Sequence, residues 1–114
     1  MILKDAVQKA YNKYFVDAKT DADVMTAVMT YYKEHLHILK MSMGGFQSEL
    51  NAITLRYRDV TDDANVLKWA GEIRRLFAKK KIIKSDNFDP IEYLAITYIA
   101  GNRGTSNWVS IASN

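Results

Sequence analysis

Apolar residues recur at helical spacing along most of the chain, and this pattern is the main guide to its fold. In the first segment, roughly residues 2–18, they follow one another at intervals of three or four: Leu3, Val7, Ala10, Tyr14 and Ala18. An α-helix completes a turn every 3.6 residues, so these side chains share one face. The segment is therefore predicted to be an amphipathic helix with its charged residues facing water.

The second helical pattern carries two adjacent apolar stripes between a capping sequence at Thr20 and the pair Gly44–Gly45. The first stripe is Val24, Val28, Tyr31, His35 and Ile38. The second is Met25, Met29, Tyr32, Leu36, Leu39 and Met43. Two stripes predict contacts with two neighbouring elements, and glycine commonly stops a helix. We therefore expect a helix of more than twenty residues here, the longest in the chain.

Residues 46–60 fit two structures. Their apolar positions suit a helix: Phe46, Leu50, Ile53, Tyr57 and Val60. However, 53–58 also alternates between apolar and polar residues, as a half-buried strand would. We predict a helix, because 48–52 has helical character. The alternative is an α+β fold in which 53–57, 82–84 and 108–111 form a small sheet.

A fourth helix is predicted over 61–81, with Thr61 as its N-cap. Its buried stripe is expected to be Val66, Trp69, Ala70, Ile73, Leu76 and Phe77. Lys79, Lys80 and Lys81 lie at its C-terminal end, where positive charge is favourable.

The stretch Phe88–Gly101 predicts the central helix of the fold. Asp89 is a good N-cap, Pro90 suits the first helical position, and Glu92 occupies the third, where it can complete a capping box. Gly101 is expected to end the helix. Nearly every side chain between these signals is apolar, and a helix that is apolar all round lies in a protein core.

These elements predict one all-α domain over residues 1–114, a compact bundle of four to five helices. Residues 102–114 are expected to form a flexible or docked tail. The chain contains no cysteine, its N-terminus lacks the pattern of a signal peptide, and no apolar run reaches the length of a membrane span. We therefore expect a soluble, cytoplasmic protein with no membrane contact.

The net charge is only +3, but the positive residues are concentrated in one region. Residues 53–84 contain nine Lys or Arg residues against four Asp or Glu residues. These nine basic residues are Arg56, Arg58, Lys68, Arg74, Arg75, Lys79, Lys80, Lys81 and Lys84. Exposed cations on the helix 61–81 could follow a phosphate backbone. A nucleic-acid-binding module is therefore the alternative function, although nucleic-acid-binding domains usually carry a larger positive excess.

No residue pattern predicts catalysis, a metal site or a cofactor. His35 and His37 are the only histidines, and on a helix they point about 200° apart. Serines lack a nucleophile-elbow context, and paired acids lie in first helical turns, where capping explains them. We therefore predict a non-enzymatic protein without cofactor or metal.

The remaining hypothesis is binding to a protein partner or to a second copy of the chain. Methionine adapts to varied surfaces, and aromatic residues are enriched in interfaces. The candidates for exposed contacts are Met41, Met43, Arg103 and Trp108. By elimination, the sequence predicts a binding protein of the inhibitor, immunity or assembly-accessory kind.

Overall fold

The computed structural model describes residues 1–37, 44–84 and 86–102, and within these ranges all regular structure is helical. In chain order the elements are α1 (Ile2–Ala10), a π-helical turn (Tyr11–Phe15), α2 (Asp21–His35), α3 (Gly44–Arg56), α4 (Asp63–Lys79) and α5 (Pro90–Asn102). No strand or sheet occurs in the described ranges. The prediction of a compact all-α bundle is therefore confirmed.

α5 is the core helix that its apolar sequence predicts. Its buried residues are Tyr93, Leu94, Ala95, Ile96, Tyr98 and Ile99, and α1, α2 and α4 all pack against it. At its start, the backbone N–H groups of Ile91 and Glu92 donate to Oδ1 of Asp89, at 2.9 and 3.3 Å. The N-cap prediction is therefore confirmed, and the first buried residue of the helix, Tyr93, follows one turn after its start.

The end of α5 differs from the prediction. The helix continues through Gly101 and includes Asn102, so the expected stop at Gly101 is wrong. Glycine inside a helix costs about 1 kcal/mol relative to alanine, which the burial of nearby Tyr98 and Ile99 can offset.

The first helix has the predicted amphipathic character but changes its geometry at Tyr11. The α-helical hydrogen bonding of α1 ends at Ala10 and gives way to the π-helical turn, which ends at Phe15 rather than at Ala18. A π-turn accommodates an extra residue, so it rotates the following side chains. Phe15 is fully buried, whereas Tyr14 lies half-buried at the edge of the core.

α2 is shorter than predicted, because it ends at His35 instead of continuing to Met43. Leu36 adopts an extended conformation (φ −134°, ψ 150°) and is buried. Gly44 begins α3 and does not end α2. The longest helix of the described residues is α4, with 17 residues.

A long-range backbone contact explains the early end of α2. Leu36 forms an isolated antiparallel bridge with Ile83, and the N–H of His37 donates to the carbonyl oxygen of Ile82 at 2.7 Å. The pairing satisfies backbone groups and accompanies the burial of Leu36 and Ile82. The spacing of apolar residues in α2 does not indicate this contact with Ile82 and Ile83.

The α+β alternative is wrong for the residues that the structure describes. Residues 53–56 belong to α3, and residues 82–84 contribute only the isolated bridge. Residues 108–111 lie outside the described residues.

α4 begins one residue later than predicted. Asp62, rather than Thr61, is the N-cap, and its carboxylate accepts the N–H of Asn65 at 3.1 Å. Either residue type can cap, but only Asp62 precedes the first helical residue with an extended backbone. The predicted stripe of α4 is buried throughout.

The other end of α4 forms a Schellman motif. The helix ends at Lys79, and Lys81 has a left-handed backbone with φ 56°. The N–H of Ile82 donates to the carbonyl oxygen of Phe77 at 2.9 Å, and the N–H of Lys81 donates to the carbonyl oxygen of Ala78 at 3.1 Å. This pattern satisfies the last helical carbonyl groups and returns Ile82 to the core.

Replacing Lys81 with glycine should stabilise the protein. A left-handed backbone costs a residue with a Cβ roughly 1–2 kcal/mol, while glycine loses more entropy on folding, so a net gain of about 0.5–1 kcal/mol is expected. Urea denaturation measures the gain. As a control, Lys68→Gly in the exposed helical interior should lower stability by about 0.5–1 kcal/mol. Equal losses in both variants would contradict the left-handed assignment.

Candidate functional site

Three helical segments meet at a half-buried polar cluster, which consists of Lys13, Tyr14, His35 and Glu92. The hydroxyl oxygen of Tyr14 lies 3.1 Å from Nε2 of His35 and 3.5 Å from Oε1 of Glu92. The Tyr14 hydroxyl has one proton, so it can donate to either partner, and the choice depends on the His35 tautomer. The cluster thereby connects the π-helical turn with α2 and α5.

Glu92 has a different role from the one expected of it at the third position of α5. Its carboxylate faces the first helix, where Oε2 lies 3.7 Å from Nζ of Lys13. Contact with Tyr14 and the negative charge of Glu92 raise the pKa of Lys13, while burial raises the pKa of Tyr14. Both shifts favour the protonated forms of Lys13 and Tyr14.

A buried aromatic ring packs against the cluster on its core side. Tyr31 is fully buried, and its ring centroid lies 4.5 Å from the His35 ring and 5.5 Å from the Tyr14 ring. Burial strongly raises the pKa of Tyr31. His35 thus lies at the edge of the core, where its helical position places it.

An open groove of about 550 Å³ lies beside this cluster, between the π-helical turn and α2. We call it the acidic groove. Its lining residues are Lys13, Tyr14, Asp17, Ala18, Asp23, Thr26, Ala27, Thr30 and Glu34. The lining contains three carboxylates and one ammonium group, so its net charge is negative.

Several polar groups of the acidic groove are already engaged. Asp23 completes the capping box of α2, accepting the N–H groups of Lys19 and Thr20 at 3.0 and 3.2 Å, and these bonds lower its pKa. The hydroxyls of Thr26 and Thr30 donate to backbone carbonyls one turn earlier. These groups shape the groove and leave little hydrogen-bonding capacity for a ligand.

Asp17 and Glu34 are the two carboxylates still accessible in the acidic groove. Within the described residues, Asp17 forms no hydrogen bond or ion pair, and Glu34 lies only 3.9 Å from Nε2 of His35. Lys13, the one cation in the lining, contacts Glu92. The groove therefore presents negative charge that the described part of the chain does not neutralise.

The basic residues predicted from the sequence do not form one free surface. Arg74 donates to the backbone carbonyls of Phe88 and Asp86, the latter at 2.8 Å. It therefore fixes the loop before α5 onto α4, and this structural role has no signal in the sequence.

Four further basic residues are engaged within the chain. Arg56 pairs with Glu72, and Lys79 and Lys80 lie 3.7 and 3.2 Å from the carboxylate of Glu49. Lys84 donates to the carbonyl oxygen of Lys33. A hydrogen bond from Tyr57 and the pair with Arg56 lower the pKa of Glu72.

The other four basic residues are exposed, and none of their side chains forms an ion pair or hydrogen bond within the described ranges. They are Arg58, Lys68, Arg75 and Lys81. Lys68 and Arg75 lie seven residues apart and so share one face of α4. The predicted partner residues Met41, Met43, Arg103 and Trp108 lie outside the described residues.

The described residues contain no group of three or more histidine or acidic side chains placed to hold a metal ion. None of the helices in this part of the chain is both long and apolar enough to cross a membrane. Comparison of the chain with protein-family models, curated proteins and solved structures found no match. The functional argument therefore depends on the residues themselves.

Sequence reasoning missed the acidic groove because its position depends on the π-helical turn. A regular α-helix through 2–18 places Tyr14 in the apolar stripe and gives it no polar partner. The sequence also offers no means of choosing between a capping role for Glu92 and its observed contact with Tyr14.

Proposed function

We propose that this chain is a non-enzymatic binding protein whose target is another protein, as an inhibitor, immunity or assembly-type accessory factor. We further propose that the partner docks in the acidic groove. The observation that carries this proposal is an open groove with two accessible carboxylates: Asp17 forms no ion pair within the described residues, and Glu34 has only the His35 ring, 3.9 Å away.

The composition of the groove and its rim supports a protein partner. Val16 precedes Asp17 in the chain and is 60% exposed, and Ala18 and Ala27 are half-buried in the groove. Protein interfaces typically combine an apolar centre with a polar rim. An open groove of this kind suits a chain segment better than a fully enclosed small molecule.

Hydrogen bonds within the groove walls also support docking. One wall includes the polar cluster around Tyr14, and the other begins at the capping box of Thr20 and Asp23. A surface that is already ordered loses less conformational entropy when a partner binds. The absence of cysteine is compatible with action in the reducing cytoplasm.

Site-specific photo-cross-linking tests this function. A benzophenone amino acid in place of Thr30, in the groove, should yield a discrete protein adduct in cells that naturally produce the chain. The matched control replaces Leu55, which is 66% exposed on α3, and should not yield that adduct. Adducts of equal intensity at both positions, or none at Thr30, would contradict docking in the groove.

A second candidate function, nucleic-acid binding, is supported by the exposed basic face at Lys68 and Arg75. If this face binds phosphates, fluorescence anisotropy should show salt-dependent binding of labelled oligonucleotides, and Lys68→Ala with Arg75→Ala should reduce the salt slope by about two. Arg74→Ala is unsuitable as a probe, because losing its two backbone contacts should cost about 1.5–3 kcal/mol of stability. No binding at low salt would eliminate this candidate.

A further inference from the structure

The two accessible carboxylates of the acidic groove come from different segments of the chain. Asp17 lies between the π-helical turn and the start of α2. Glu34 lies in the last turn of α2. From Asp23 to Glu34 the helix rises about 16 Å, at 1.5 Å per residue. The groove therefore presents negative charge at two separated points.

A partner that covers these carboxylates must also neutralise them. Removing a carboxylate from water is costly unless it gains a hydrogen-bonded or charged partner. Lys13 does not provide one, because it already contacts Glu92. An apolar or acidic segment would leave Asp17 desolvated and unpaired, and Glu34 with only the His35 ring 3.9 Å away, whereas a basic segment would pair with both.

The lining of the acidic groove can accept the stems of long basic side chains. Ala18 and Ala27 are small, and Tyr14 contributes part of an aromatic ring to the same groove. Lysine and arginine bury their methylene stems on apolar surfaces while keeping the charged group at a polar site. The small lining residues leave space for such stems.

We propose that the partner inserts a basic segment into the acidic groove, with one lysine or arginine at Asp17 and another at Glu34. This inference rests on the proposed protein-binding function and specifies the chemistry of the partner. An extended chain advances about 3.3 Å per residue, so two basic residues five positions apart span the length of α2 between Asp23 and Glu34.

A peptide titration tests this chemistry directly. The probe is the blocked hexapeptide Arg-Ala-Ala-Ala-Ala-Arg, added to the ¹⁵N-labelled chain and followed by NMR. Chemical-shift changes should concentrate in residues 13–18 and 23–34. Asp17→Asn with Glu34→Gln should weaken binding about fivefold to tenfold, as two partly exposed charge pairs would.

A matched variant controls for overall charge. Asp59→Asn with Asp86→Asn removes the same two charges at exposed positions outside the groove, and should change affinity less than about twofold. Equal weakening by both double variants, or shifts outside the groove, would overturn the inference. Equal binding of a peptide with glutamate in place of both arginines would also overturn it.

The cross-link at Thr30 separates this inference from the proposed function. If a partner still cross-links with full yield to the Asp17→Asn, Glu34→Gln variant, the protein-binding function stands and the basic-segment inference fails. If Thr30 gives no adduct in the unmodified background, the proposed function fails whatever the peptide does. Loss of the adduct in the groove variant, with its retention in the matched control, supports both.

Discussion

The fold depends above all on the burial of α5, the one helix that is apolar on nearly every side. Because it has little polar surface to expose to water, α1, α2 and α4 must pack around it. The same packing positions the start of α5, since the ring centroid of Phe77 in α4 lies 5.6 Å from that of Phe88 and 4.9 Å from that of Tyr93. The capped start of α5 and the core are therefore one structural unit.

The candidate site depends on Glu92, one of the few polar residues of that helix. The backbone N–H of Glu92 donates to the capping carboxylate of Asp89, so the capped start of α5 helps to determine where the Glu92 carboxylate points. That carboxylate contacts Tyr14 and Lys13 on the π-helical turn. The wall of the acidic groove is thus connected to the core helix, and core burial contributes to the shape of the surface proposed to bind a partner.

Local sequence signals predicted much of the fold, namely the core character of α5, its cap at Asp89 and the buried stripe of α4. They failed where a distant contact decides the structure. The end of α2 depends on pairing between Leu36 and Ile83, and the engagement of Arg74 depends on the carbonyl groups of Phe88 and Asp86. The candidate site was not predicted, because its geometry requires the π-helical turn and its neighbours in space.

Hydrogen exchange of the backbone amides in α5 tests the dependence of the fold on this helix most directly. If α5 is the centre on which the other helices pack, amides between Leu94 and Ile99 should exchange only through global unfolding. Their exchange free energy should then equal the unfolding free energy measured with urea. Exchange of these amides through a lower-energy local opening, while α4 remains protected, would contradict the account.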